Sequence, residues 1–186
     1  MAFNENFIDT FRPICRNQFI LLATMKNALE AHREMWRSAR KDIDTIAHTT
    51  MDALGNAGGC GKNQWSFGFS VLSAVGAIIS VPLAAVTGGG PLAIAAIGAV
   101  GSAGSAGAAG ISASGDSAED ITNSMRQAIE RLTRHIQESE AEIVRALQKT
   151  AGAVNGGKDV FVAPRPELAG MRDGELTADS GMGRSD

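Results

Sequence analysis

Tyrosine is absent from this 186-residue chain, cysteine occurs twice, and aromatic residues make up only 5% of it. Cys15 and Cys60 do not form a C-x-x-C pair, so the cysteine pattern predicts neither a zinc site nor a redox motif. The formal net charge is -3, so the chain lacks the excess of basic residues that is typical of nucleic-acid-binding proteins. We therefore expect no nucleic-acid partner.

Residues that carry catalytic or metal-binding chemistry are also sparse. His135 lies near Glu138 and Glu142 on one predicted helical face, but the Glu-x-x-His motif of di-iron bundles does not occur. The sequence GGCGK at 58–62 does not complete a phosphate-binding loop, because Asn63 follows the lysine. The sequence therefore predicts a non-enzymatic protein with no catalytic residue, no metal site, no cofactor and no small-molecule substrate.

Charge is missing from the middle of the chain, where no Asp, Glu, Lys or Arg occurs between Lys62 and Asp116. Two apolar arms of roughly 20 residues, long enough for bilayer-spanning helices, flank the turn sequence TGGGP at 87–91. This pattern predicts an apolar, Gly/Ala-rich helical hairpin over 65–113. Its characteristic residues are Trp65, Phe67, Phe69, Ile78, Ile79, Pro82, Gly88, Gly89, Gly90, Pro91, Ile94 and Ile97.

The environment of this hairpin is left open by the sequence. A helix that is apolar on all sides is buried either in lipid or in protein. Small residues recur every four positions in the second arm, which permits close helix packing of the kind found in membranes. Insertion into a membrane, burial in a soluble bundle and a flexible low-complexity segment are the three interpretations.

A seven-residue apolar repeat runs through a predicted long helix at 6–54. Alternating spacings of three and four residues place its apolar side chains along one seam, as in a coiled coil. We predict that the seam pairs with another helix through Ile8, Leu22, Leu29, Trp36 and Ile43.

A second heptad helix is predicted over 116–151, with Asp116 or Ser117 as its N-cap and with Ile129, Leu132, Ile136 and Ile143 in its seam. The two heptad helices flank the hairpin, so we expect them to pack antiparallel in an all-α domain at 1–154. Residues 155–186 are rich in glycine, proline and charged residues, and this composition predicts a flexible tail.

The predicted long amphipathic helix is followed by the segment WSFGFSVLSAVGAIISVPLAAVTGGG and then by another predicted helix. This arrangement resembles actinobacterial WXG-type proteins associated with type VII secretion. The resemblance covers roughly 65–115. Trp65-Ser66-Phe67-Gly68 is W-x-x-G rather than W-x-G, and no Tyr is present to form the family's C-terminal export signal. The resemblance implies a helical partner in a type VII-like secretion system. The layout is also similar to that of α-helical pore-forming proteins.

Two functions follow from this sequence. The first is a non-enzymatic secretion-system protein that pairs, through its coiled-coil seam, with itself or with another helical protein. The second is a membrane-active or pore-forming protein that inserts the 65–113 hairpin and oligomerises. The N-terminus has no Sec-type apolar region, so we expect a membrane-associated protein or one secreted by a non-Sec route.

Overall fold

Two long helices dominate the computed structural model, which describes residues 8–57, 63–67, 78–83, 93–97, 111–115 and 117–163. Helix α1 spans Asp9–Gly55 (47 residues) and helix α2 spans Ala118–Gly156 (39 residues). Short strands lie between them: β1 (Asn63–Phe67), β2 (Ile78–Pro82), β3 (Ala93–Ile97) and β4 (Ile111–Gly115). A 3₁₀ turn, Lys158–Val160, follows α2. The described residues are therefore mostly helical, as the all-α class predicted, with a small β component.

The helix ends follow from local chemistry. α1 ends at Gly55, close to its predicted end. At the start of α2, the backbone N–H of Asp120 donates to Ser117 Oγ at 3.1 Å, and that hydroxyl donates to Asp120 Oδ2 at 2.7 Å. Ser117 is thus the N-cap. A Cβ on Gly115 would lie 2.7 Å from Asp120 Cβ, so this close approach requires glycine.

The predicted helical hairpin is wrong for the described parts of 65–113, because these segments are strands. β1 pairs antiparallel with β4, with Trp65 opposite Ala113 and Phe67 opposite Ile111, and β2 pairs with β3 in a second two-stranded sheet. Glycine disfavours helices by about 1 kcal/mol per residue, whereas Val and Ile fit strands well. A short apolar run does not by itself distinguish the two structures.

The chain divides into two compact units. The first comprises residues 1–25, 79–96 and 147–186. Its buried cluster joins Ile14 of α1, Leu83, Ile94 of β3, and Val160 and Phe161 after α2. The hydroxyl of Thr150 donates to the carbonyl oxygen of Ala95 at 2.5 Å and so links α2 to β3.

The second unit comprises residues 26–78 and 97–146. Its core consists of residues from α1, β1 and α2: Met35, Ala39, Ile46, Phe67, Ala128 and Leu132. Trp65, Met125 and Ile136 are partly buried against this cluster. Ala153 and Val154 of α2 are partly buried against the first unit's cluster, so both long helices contribute apolar residues to each unit.

The buried face of α1 differs from the predicted seam. Met35 and Ala53 are buried 18 residues apart, which is five turns of 3.6 residues. The predicted seam follows a seven-residue repeat, which drifts about 20° per heptad around a straight helix. From Thr10 to Met35, however, the buried residues also recur every seven residues, so the buried face lies at a constant offset beside the predicted seam. The two faces meet only from Ala39 onward, where the d positions Ala39, Ile46 and Ala53 are buried.

The predicted start of the flexible tail, at residue 155, is too early. Helix α2 continues to Gly156, and Val160 and Phe161 are buried in the first unit. Asn17 Nδ2 donates to the carbonyl oxygen of Val160 at 2.9 Å, and Gln18 Nε2 donates to that of Phe161 at 2.7 Å. The remainder of the predicted tail, 164–186, lies outside the described residues.

Among the described residues, neither long helix contains an apolar stretch that could cross a membrane.

Candidate helix-pairing surface

The N-terminal half of α1 buries mainly small and polar side chains together with Ile14, and it exposes most of its large apolar side chains. Thr24, Ala28 and Ala31 are buried, whereas Phe19 is 72% exposed and Leu22 is 64% exposed. Folding normally places large apolar side chains inside. An extended exposed apolar surface is typical of a binding site for another molecule.

We define the N-terminal stripe as the exposed residues of this face in the first unit: Ile8, Phe11, Cys15, Phe19, Leu22 and Met25. All except Phe19 occupy the a and d positions of the predicted heptad repeat, and Phe19 lies next to them. Exposed Arg12 and Lys26 lie beside the stripe at e positions, whereas exposed Asp9 and Arg16 lie farther round the helix at b positions. Apolar a and d positions with flanking charges are the pattern by which one helix packs against another.

The second unit has its own exposed residues on α1, which we call the central stripe: Leu29, Trp36 and Ile43. The indole Nε1–H of Trp36 donates to His32 Nε2 at 3.2 Å. The same His32 nitrogen lies 3.5 Å from Glu140 Oε1 of α2. Trp36 is therefore exposed but held in place by a neighbour one turn earlier.

Six of the predicted helix-pairing residues are not buried between helices of this chain. Ile8, Leu22, Leu29, Trp36 and Ile43 of the α1 seam and Ile129 of α2 are exposed, which corrects the prediction that they pack inside the chain. The predicted burial of Leu132 and Ile143 is confirmed, and Ile136 is half-buried against the second unit's core. Pairing of the exposed residues with another chain stays a prediction.

The predicted hairpin residues are divided between strands and undescribed positions. Phe67 in β1 and Ile94 in β3 are buried in separate cores, and Trp65 is half-buried with no hydrogen-bond partner for Nε1 among the described residues. Ile78, Ile79 and Ile97 belong to strands β2 and β3, and Pro82, at the end of β2, is exposed. Phe69, Gly88, Gly89, Gly90 and Pro91 lie outside the described residues.

Sequence reasoning missed two features that organise the first unit. Asn17 is fully buried and binds the backbone of Val160, and Phe161 completes the apolar cluster around Ile14. The amide–carbonyl contact joins residues 143 positions apart, so local patterning does not reveal it. The apolar triplet Val160-Phe161-Val162 was the available signal for docking of this segment.

In the part of the chain that the structure describes, no group of three or more His, Cys, Asp or Glu side chains is placed to hold a metal ion. His135 Nδ1 lies 3.5 Å from Glu138 Oε2, an i,i+3 contact on α2. Comparisons of the chain with protein-family models, curated proteins and solved structures found no match.

Proposed function

We propose that this chain is a non-enzymatic helical interaction protein that pairs with another helix through the exposed apolar face of α1. The observation that carries the proposal is the exposure of large apolar side chains at heptad positions, including Leu22 and Leu29. Packing of such side chains into a facing helix removes them from water and contributes about 25 cal/mol for each Å² buried. The setting that we propose, a type VII-like secretion system, rests on the sequence resemblance.

Antiparallel packing of α1 and α2 within the chain is part of this proposal. In the second unit, His32 of α1 lies beside Glu140 of α2, whereas Met35 and Ile46 share a core with residues 128 and 132. Residue numbers thus rise along α1 while they fall along α2. This arrangement supports a pair of helices in which one face of α1 packs against α2 and the opposite face is exposed for binding a partner.

The test is a double variant, Leu22→Glu with Leu29→Glu, compared with the parent chain and with Val144→Glu. All three positions are exposed, so each variant is expected to keep the helicity and melting temperature of the parent. Val144 lies on α2 and provides a matched apolar-to-charged control. Chemical cross-linking in the cell that makes the protein, followed by mass spectrometry, identifies the bound chains.

We expect the parent and Val144→Glu to form the same cross-links, to another protein or to a second copy, and the double variant to lose them. Unchanged cross-links in the double variant would show that α1 is not the pairing surface. Unfolding of the double variant would show instead that Leu22 and Leu29 are part of the chain's own core.

A second candidate function, insertion into a membrane with oligomerisation, is supported by the charge-free segment between Lys62 and Asp116. Strands β1 and β4 bring the two ends of this segment together, so it would enter a bilayer as one hairpin-like insertion. Binding of the full chain to lipid vesicles is the deciding measurement.

A further inference from the structure

We propose that His32 is a pH-dependent switch, in which protonation transfers its Nε2 atom from the indole of Trp36 to the carboxylate of Glu140. The proposal is carried by the position of this one nitrogen between two groups. His32 Nε2 lies 3.2 Å from Trp36 Nε1 on α1 and 3.5 Å from Glu140 Oε1 on α2. All three residues belong to the second unit.

The indole and the carboxylate make opposite demands on His32 Nε2. An indole N–H is a donor only, so the contact with Trp36 requires a lone pair on Nε2 and a neutral ring with its proton on Nδ1. A carboxylate is an acceptor only, so a hydrogen bond to Glu140 requires a proton on Nε2. The same nitrogen cannot make both hydrogen bonds at once.

The structure shows the arrangement of the neutral ring. Trp36 donates to His32 Nε2, and the two rings meet edge to face with 6.5 Å between their centroids. The carboxylate of Glu140 lies 3.5 Å from Nε2, outside the range of about 2.7–2.9 Å for a charge-assisted hydrogen bond. In a protonated ring both nitrogens are donors, so the indole contact is lost and a shift of less than about 1 Å brings Nε2–H to Glu140.

The charges around His32 leave Glu140 as the group that responds to its protonation. No Asp, Glu, Lys or Arg occurs three or four residues from His32 on α1, or three or four residues from Glu140 on α2. Strand β1, which shares the core of this unit, belongs to the charge-free segment. The charged neighbours farther round the two helices have partners of their own: Glu30 with Lys26, Arg33 with Glu34, and Glu138 with His135.

The exchange changes the exposed face of α1. Histidine changes its charge between about pH 5 and pH 8, so acidification within this range breaks the contact that holds Trp36 and joins His32 to α2. Trp36 is the largest side chain of the central stripe, and its indole then turns freely about its side-chain bonds. The consequence for partner binding rests on the proposed helix-pairing function, whereas the switch is a property of the single chain.

The first experiment follows the indole N–H signals of the full-length, isotope-labelled chain by NMR from about pH 7.5 to about pH 5. The chain has two tryptophans, so the spectrum of Trp36→Phe assigns both signals, and Trp65 serves as the internal reference. We expect the Trp36 indole proton to move, as the pH falls, toward its position in a solvent-exposed indole. It should move together with the ring protons of His32. A Trp36 signal that keeps its position overturns the switch.

The variant His32→Gln tests which group causes the transition. Its amide oxygen accepts a hydrogen bond at every pH and does not titrate, and the variant retains His48 and His135. We expect the Trp36 signal of His32→Gln to be independent of pH. A transition that persists in this variant belongs to another group and overturns the assignment to His32.

The variant Glu140→Gln tests the second partner. We expect its Trp36 transition to move to lower pH, because loss of the nearby negative charge disfavours the protonated ring. Glu142→Gln is the matched control, since this exposed residue lies about 200° round α2 from Glu140, and it should behave like the parent. Identical transitions in Glu140→Gln and the parent would overturn the exchange. The side chains of His32 and Glu140 are partly exposed, so circular dichroism is expected to show every variant folded.

Failure of the switch and failure of the proposed function are distinguishable. Cross-links that are lost in the Leu22→Glu, Leu29→Glu double variant, together with a pH-independent Trp36 signal, overturn the switch and leave helix pairing standing. A His32-dependent Trp36 transition without such cross-links overturns helix pairing and leaves the switch standing.

Discussion

Asn17 lies between the positions that the heptad repeat assigns to the seam, yet its side chain is fully buried in the first unit. Its Nδ2 donates to the carbonyl oxygen of Val160, and the neighbouring Gln18 donates to that of Phe161. Two consecutive amide side chains thus attach the segment after α2 to α1. A buried polar group needs a hydrogen-bond partner, so these two contacts stabilise the segment after α2 and also fix its position against α1.

We expect Asn17→Ala to lower the free energy of unfolding by about 1–3 kcal/mol, because it leaves the buried carbonyl of Val160 without this donor. Gln18→Ala is the matched control, since its contact is only partly buried and water replaces it more readily. Urea denaturation measures both. Equal stability of the parent and Asn17→Ala would show that the amide contact contributes little to the fold.

At the scale of elements, the sequence predicted both helices, the end of α1 at Gly55 and an N-cap of α2 at Asp116 or Ser117, of which the structure selects Ser117. It did not predict the buried face of α1. Caps and breakers are local signals that one stretch of chain contains. The buried face depends on what packs against it. A sequence that is apolar on two faces, as around Leu21 (half-buried) and Leu22 (exposed), does not specify which one faces inward.

The strands illustrate a second limit. Runs such as Ile78–Pro82 and Ala93–Ile97 contain few polar residues, so neither a period of 2.0 nor one of 3.6 distinguishes strand from helix in them. Strand pairing is decided by a partner elsewhere in the chain, as when Phe67 meets Ile111 across the β1–β4 pair. The candidate surface was predictable as a heptad repeat, whereas its exposure needed the three-dimensional fold.

The segment after α2 provides a prediction at this scale. Truncation after Gly156 removes Val160 and Phe161 from the first unit's core, and burial of each such side chain contributes about 1.5–3 kcal/mol. We therefore expect a clear fall in melting temperature. Truncation after Ala163 is the control and is expected to melt like the parent, because 164–186 has the composition of a flexible tail. Identical melting of the two truncated chains would contradict the contribution of Val160 and Phe161.

At the scale of the whole molecule, the charge-free segment supplies residues to two cores. Phe67 is buried in the second unit and Ile94 in the first. Transfer of such side chains from a protein core to lipid changes their apolar surroundings little. The backbone sets the condition for insertion, because each unpaired N–H or C=O group in hydrocarbon costs several kcal/mol. A two-stranded pair such as β1–β4 leaves the outer N–H and C=O groups of each strand unpaired, so within hydrocarbon it would need to be replaced by helix.

The candidate membrane function predicts that the full chain floats with vesicles of mixed neutral and anionic lipid and releases a trapped dye from them. Ile79→Asp with Ile97→Asp is expected to abolish both effects, because a carboxylate near the middle of a bilayer costs about 2.5–3.5 kcal/mol on the translocon insertion scale. Met51→Glu, which changes an exposed residue of α1, is the control and should float like the parent. A parent chain that stays with the lipid-free fraction at every lipid composition would rule out insertion. The charge-free segment would then serve only to fill the two cores, and pairing through α1 would be the remaining function.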